Sequence, residues 1–280
     1  MALFRAIEST FPANRRLFDD PFAVQFLRPR LALLARLCRF PGAAHLVSRY
    51  IDSRWAGARS SAVARTRLID DMIAEALARG LEQLVILGAG FDARPYRLRG
   101  LSDLAIFEVD HPDTLARRQA AIRRASFAGP SSVRSVAIDF KSADLETVME
   151  SAGYSRDAST FFLWEGVTNY LTEDAVDATL RWCARAAPGS QVLFTYIHRA
   201  VLEDPSAFAG TDTLMQTLNN AGEQWTFGLQ PAELADFVRG CGLELEQDIG
   251  SSEYRGRYLP RVSRLMRGYE FYRIAVARVA

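Results

Sequence analysis

The sequence predicts an α/β protein built on a doubly wound sheet with a helical N-terminal cover. Three observations carry that expectation. From Leu84 onward, short apolar runs of strand length alternate with helix-like stretches, as in βαβ units. The first of those runs feeds directly into a glycine turn, Gly88-Ala89-Gly90. Finally, no repeat and no Pro/Gly/Ser linker divides the 280 residues, and a hydrophobic content of 49% supplies core for a single domain.

The elements follow in order. Residues 1–62 are helical and arginine-rich, with a turn or helix start at Asp20-Pro21, and form the cover. Residues 63–78 place Ile69, Met72, Ile73, Ala76 and Leu77 on one helical stripe. Strands are expected at 84–88, 104–110, 133–139, 160–165 and 191–196, with helices between them. The Phe161-Phe162 pair suits a strand buried on both faces. Thr172 is a good N-cap, and Glu173 and Asp174 then sit in a first turn that favours negative charge. The core thus runs over 63–198, and the polar, small-residue stretch 199–229 interrupts the alternation as a lid insertion. Residues 230–280 return to the core, with a helix opening at Pro231 and a final pair of strands at 243–249 and 270–279.

Composition excludes several classes. With 34 basic and 33 acidic residues, the chain lacks the basic surplus of an obligate nucleic-acid binder. No apolar run reaches the roughly 20 residues of a membrane span, so no membrane role is expected. Cys38, Cys183 and Cys241 are dispersed, and only three histidines are present, which argues against a disulfide frame or a metal site. The first residues lack the basic-then-apolar order of a secretory signal, and the thiols read as reduced in a cytoplasm. Two further stretches read as structural. Arg117, Arg118, Arg123 and Arg124 suit a solvated helix face, and the apolar segment 31–38 suits a core or lid helix rather than a membrane anchor.

The segment from Leu84 to Ala93 matches the G-x-G-x-x-G/A nucleotide pattern, which nicotinamide, flavin and S-adenosylmethionine proteins share. Neighbouring strands end in carboxylates: Asp110, Asp139 and Glu165, with Asp92 just past the turn. In a doubly wound sheet these ends converge on the ligand crevice. An acidic crevice suits a sulfonium, an ammonium, ribose hydroxyls and an adenine amine, and opposes a pyrophosphate. Glu108, 20 residues beyond Gly88, keeps a nicotinamide dehydrogenase open as the alternative. A non-catalytic association module is the other. Upstream, Arg65 lies four residues before Ile69 on the buried stripe, so it requires an anion, either a protein carboxylate or a ligand carboxylate.

Together these segments resemble the leucine carboxyl methyltransferase family, especially its bacterial small-molecule O-methyltransferase branch. The resemblance rests on Arg5 to Ser9, Leu17 to Ala23, Ala64 to Asp71, Leu87 to Arg94, Phe107 to Pro112, Trp164 to Leu171, and Phe227 to Leu229. It implies the seven-stranded S-adenosylmethionine (SAM) methyltransferase fold with an antiparallel last strand, and SAM as the cofactor. It also implies that Arg65 binds the SAM carboxylate, Gly88 and Gly90 form the cofactor turn, and Asp110 holds the ribose. Asp139 and Phe140 would flank the adenine, and Glu165 would contact the amino-acid end. Many relatives carry Leu where Phe140 stands, and eukaryotic members act on a protein C-terminus, a partner that nothing in this sequence specifies.

The expected acceptor is a small acid, whose carboxylate needs no general base; a phenol would draw on His198 or His111. Tyr170, Tyr196, His198 and Arg199 follow strand ends and are the candidates to face the acceptor. Charge distribution supports an acid as well. Residues 1–70 carry twelve arginines against five acids, whereas the remainder has 22 basic and 28 acidic residues. A basic cover over an acidic core would draw in an anion.

Overall fold

The computed structural model describes residues 1–125, 130, 132–139, 145–220, 222–265 and 268–280, without the Leu265 side chain. The chain opens with helices α1 (Ala2–Glu8), α2 (Pro29–Leu37), α3 (Ala43–Arg54) and the long α4 (Ala58–Ala78). The alternation begins at β1 (Gln83–Leu87) and continues through α5 (Arg94–Arg97), β2 (Ala105–Asp110), α6 (Pro112–Arg124), β3 (Val133–Ala137) and α7 (Leu145–Ser151). Next come β4 (Thr160–Trp164), α8 (Glu173–Cys183), β5 (Gln191–Ile197) and the insertion helices α9 (Ala200–Glu203) and α10 (Thr211–Asn220). The remainder is α11 (Leu234–Gly240), β6 (Leu243–Gly250), α12 (Ser251–Tyr258), α13 (Pro260–Leu265) and β7 (Tyr272–Val279).

The strands form one sheet in the order β3-β2-β1-β4-β5-β7-β6. β7 runs antiparallel to both β5 and β6, and the other neighbouring pairs are parallel. This is the class I SAM methyltransferase fold. Every residue of β1 and β4 is buried, because these central strands have helices on both faces. Alternate side chains serve opposite layers. Leu84 and Ile86 pack with Leu68, Ile69 and Ile73 of α4, whereas Val85 and Leu87 join Val176 and Leu180 of α8. The expected strands agree with those observed to within two residues at either end.

Local chemistry explains the helix starts. The Thr172 hydroxyl accepts from the Ala175 amide at 3.3 Å, which caps α8 as expected. Pro231 opens a short 3₁₀ turn that leads into α11. Helix α4 starts five residues earlier than its apolar stripe predicts, after Gly57 in the left-handed conformation (φ 81°). Strand order reverses between β1 and β4, so a crevice opens at their carboxyl ends. The 199–229 insertion leaves from the same end of the sheet. It returns by pairing Leu229 with His198, and its core is Ile197, Val201, Trp225 and Phe271.

Two expectations need correction. Arg118 is not on a solvated face: it is fully buried, while Arg117, Arg123 and Arg124 are exposed. The sequence shows which helix carries Arg118, but the inward side of α6 depends on what packs there. Of the core-or-lid reading of 31–38, the core half fails, since Leu31, Leu33 and Leu37 face outward and Ala32 and Ala35 face inward.

Candidate active site

A cleft of about 950 Å³ lies beyond the carboxyl ends of β1, β2 and β4 and is covered in part by α1. The expected Arg65, Gly88, Gly90, Asp110, Asp139, Glu165 and Tyr170 all line it. Phe140 lies outside the described residues. Strand β1 ends in the turn 88–90, where Gly88 (φ 67°) and Gly90 (φ 46°) adopt left-handed backbone. A Cβ at Gly88 would strike Cγ2 of Val167, so the absence of a side chain lets the turn pack against the segment after β4. The amides of Gly88 and Ala89 both donate to the Val109 carbonyl, which ties the turn to β2.

Asp110 ends β2. Its Oδ2 accepts from the Gly90 amide at 2.6 Å, and its Oδ1 accepts from the His111 amide at 2.6 Å. These bonds fix the carboxylate and leave further lone pairs on both oxygens. His111 itself is exposed, and its Nδ1 accepts from the Asp113 amide at the start of α6.

Arg65 projects from the buried face of α4 and donates from Nε to Glu165 Oε1 at 2.8 Å. Its guanidinium also stacks 4.4 Å from the centre of the Tyr272 ring. Arg94, buried just past the glycine turn, donates to the other Glu165 oxygen at 3.0 Å and to Asp70 at 2.8 Å. Burial by itself would raise the Glu165 carboxyl, but Arg65 and Arg94 outweigh it and hold the group down at about 2. Asp92 is likewise lowered, because Arg94 and Arg5 overcome the effect of its burial. Asp70 passes the network on to Arg97 at 2.7 Å, and Arg97 approaches Asp20, which binds Arg5 Nε at 2.8 Å. One chain of alternating charge therefore ties α1 to the wall of the cleft. Sequence reasoning missed Arg94 as a partner of Glu165, and its position two residues after Asp92 was the available signal.

Three expected acceptor residues are not brought to this cleft. Tyr196 points to the opposite layer of the sheet, where its hydroxyl donates to Asp248 at 3.0 Å and accepts from Arg273 Nε at 3.0 Å. Strand alternation decides this: Tyr196 shares a face with Val192 and Phe194, and Thr195 takes the other. His198 packs 5.2 Å from Phe208 in the insertion, and its Nδ1 accepts from the Ala200 amide at 3.2 Å. Its burial lowers its pKa. Arg199 pairs with Glu233 at 3.0 Å. Tyr170 is the exception. It stands half-exposed on the cleft rim and donates to Glu223 of the insertion at 2.8 Å.

Glu108, which kept the dehydrogenase alternative open, is fully engaged elsewhere. Arg118 Nε donates to Glu108 Oε2 at 2.8 Å, and Arg118 Nη2 donates to Oε1. Arg118 Nη1 also reaches the Gly90 carbonyl at 3.1 Å, so this buried pair supports the glycine turn from behind.

With this geometry in place, similarity decides the family. A model described as leucine carboxyl methyltransferase matches residues 1–184. The chain belongs to the leucine carboxyl methyltransferase family. Relatives agree. A protein of Mycobacterium avium (strain 104), provisionally named an S-adenosyl-L-methionine-dependent methyltransferase, is 34% identical over 220 residues. That match covers 75% of this chain and 66% of the relative, just under two thirds of its length. A Mycolicibacterium vanbaalenii protein with the same provisional name is 30% identical over 270 residues, covering 86% of this chain and 82% of its own. The fold is shared with a provisionally assigned methyltransferase from Thermobifida fusca, at a TM-score of 0.59 and 19% identity over 85% of this chain and 88% of that one.

Proposed function

We propose that this chain is a SAM-dependent O-methyltransferase that acts on a small-molecule acid. The observation that carries the reading is the convergence of Asp110, Asp139 and the Arg65–Glu165 pair on one cleft beside the Gly88–Gly90 turn. These groups fit SAM. Arg65 can take a carboxylate in bidentate fashion, and Glu165 can accept from an ammonium group. Asp110, held by two backbone amides, retains lone pairs for ribose hydroxyls, and Asp139 can accept from an adenine amine. A pyrophosphate at the same turn would face Asp92, Asp110 and Glu165, and the dehydrogenase's ribose acid is occupied by Arg118.

When bound, SAM supplies an electrophilic methyl group on a sulfonium sulfur, open to attack by a substrate oxygen. The chain's part is to align the two molecules and to exclude water. Helix α1 and Leu27 and Leu31 of the arginine-rich cover wall one side of the cleft, where Arg5 is paired with Asp20 and Arg28 adds positive charge. On the rim, Tyr170 donates to Glu223, which brings one residue of the 199–229 stretch to the cleft and supports reading that stretch as a lid. A carboxylate acceptor is ionised at neutral pH and needs no base. His198 is absent from the cleft lining, whereas His111 is part of it and would be the histidine available to a phenol.

Calorimetric titration tests the cofactor, with SAM expected to bind and NAD(P) not. Incubation with methyl-labelled SAM and a pooled small-molecule extract tests the reaction. Label should enter base-labile methyl esters; label that is stable to base, or confined to protein, overturns the carboxylate reading.

A further inference from the structure

Helices α2 and α3 turn their small residues inward and their large apolar residues outward. Ala32 and Ala35 of α2 are buried, as is Cys38 at its end; in α3 the buried residues are Ala44, Ser48 and Ile51. Facing solvent are Leu33 (58% exposed), Phe40 (65%), Leu46 (69%) and Tyr50 (68%), together with Leu37. Of the nine large apolar side chains exposed among the described residues, six lie between positions 31 and 50. Leu33 and Leu37 are one turn apart, as are Leu46 and Tyr50, so each helix carries an apolar stripe. The inner face of α3 joins the small core around Ile7, that of α2 packs with Ala6 and Ala23, and Phe40 sits in the short turn between the two helices. The hydrophobic effect favours burying leucine and exposing alanine, so this reversed surface is built for contact.

Charge identifies what it contacts. Residues 28–54 hold six arginines (28, 30, 36, 39, 49 and 54) and one acid, Asp52, which is bound by Arg59 at 3.0 Å. None of the six makes an ion pair among the described residues. Exposed leucines and aromatics bordered by unpaired guanidiniums match the two layers of an anionic lipid surface, acyl chains below and phosphates above.

We propose that the α2–α3 face docks on an anionic lipid bilayer as a peripheral, non-spanning contact. The structure contains no membrane-spanning helix among its described residues, so attachment is reversible and electrostatic in part. Arg28 and Leu31, at the start of this face, also line the cleft, so the docked surface reaches the cleft mouth. This revises the expectation of no membrane role, which rested on the lack of a spanning segment.

Vesicle co-sedimentation of the full chain tests the proposal without reference to methyl transfer. Phosphatidylcholine vesicles with about a third phosphatidylglycerol should retain the protein, pure phosphatidylcholine vesicles much less, and added salt should release it. Arg36→Gln and Arg39→Gln should each lower the partition coefficient roughly fivefold, and the pair Phe40→Ser with Leu46→Ser should abolish binding. All four side chains are exposed, so an unchanged melting temperature and unchanged SAM affinity show that the fold and cleft survive. Equal partition onto neutral and anionic vesicles, or retention of binding by the serine variant, overturns the proposal. So does a concentration-dependent dimer that the serine variant loses, which would assign the face to a second copy.

Discussion

Arg65 and Glu165 stand 100 residues apart in sequence and 2.8 Å apart on the cleft wall. Both are largely buried, and Arg94 holds the second carboxylate oxygen. Removing Glu165 would therefore leave the buried Arg65 guanidinium without its carboxylate, while Arg94 keeps Asp70 and Asp92, a loss of about 3 kcal/mol or more. We expect Glu165→Ala and Arg65→Ala each to lower stability in urea unfolding by that amount. Each should also weaken SAM binding on the order of tenfold to a hundredfold in calorimetry. If both variants bound SAM normally, the amino-acid end of the cofactor would lie elsewhere.

The same pair dictates an acid dependence. The Glu165 carboxyl is held at about 2, below its ordinary value of 4.5, so the unfolded chain takes up its proton first as pH falls. The stabilisation is complete above pH 4.5 and is lost as pH falls from there toward about 2. Melting temperature measured across that window should fall less steeply in Glu165→Gln than in the wild type. Parallel curves would show that the ion pair is not the titrating element.

Asp110 and Tyr196 provide a contrast between the cleft and the opposite layer. Asp110→Ala should abolish measurable SAM binding while leaving the sheet folded, as read by calorimetry and circular dichroism. Tyr196→Phe removes hydrogen bonds to Asp248 and Arg273, at a cost of roughly 2 kcal/mol in unfolding free energy. Because the ring points away from the cleft, SAM affinity should stay within about twofold of wild type.

The buried Arg118–Glu108 pair predicts non-additivity. Arg118→Met alone strands a buried carboxylate and should cost about 3 to 5 kcal/mol. Adding Glu108→Gln should recover a large part of that loss, as a double-mutant cycle in urea would show. SAM binding should weaken in both, since the Gly90 carbonyl loses the guanidinium that supports it.

Legibility followed the range of the interactions. The strands, the Thr172 cap and the glycine turn were readable because each depends on neighbours within a few residues. Arg65 was readable as a buried cation because Ile69 marks the same stripe, but two partners remained open, and the structure supplies a protein carboxylate that also lines the cleft. Arg118 was misjudged for the complementary reason. Its neighbours are polar, and only Glu108 from β2 makes its burial tolerable. The outward leucines of α2 likewise looked like core residues until the packing of α1 showed which side was occupied.

By itself, the sequence determined the α/β class, the strands and their acidic ends, because periodicity and strand-end chemistry are local properties of the chain. Tertiary structure decided which of those groups share a cleft. Side chains on one strand alternate between two layers, and an ion pair has meaning only once both partners are placed. That is why Tyr170 and Glu165 reach the cleft, Tyr196 turns to the opposite layer, and Glu108, correctly spaced for a ribose, is committed to Arg118.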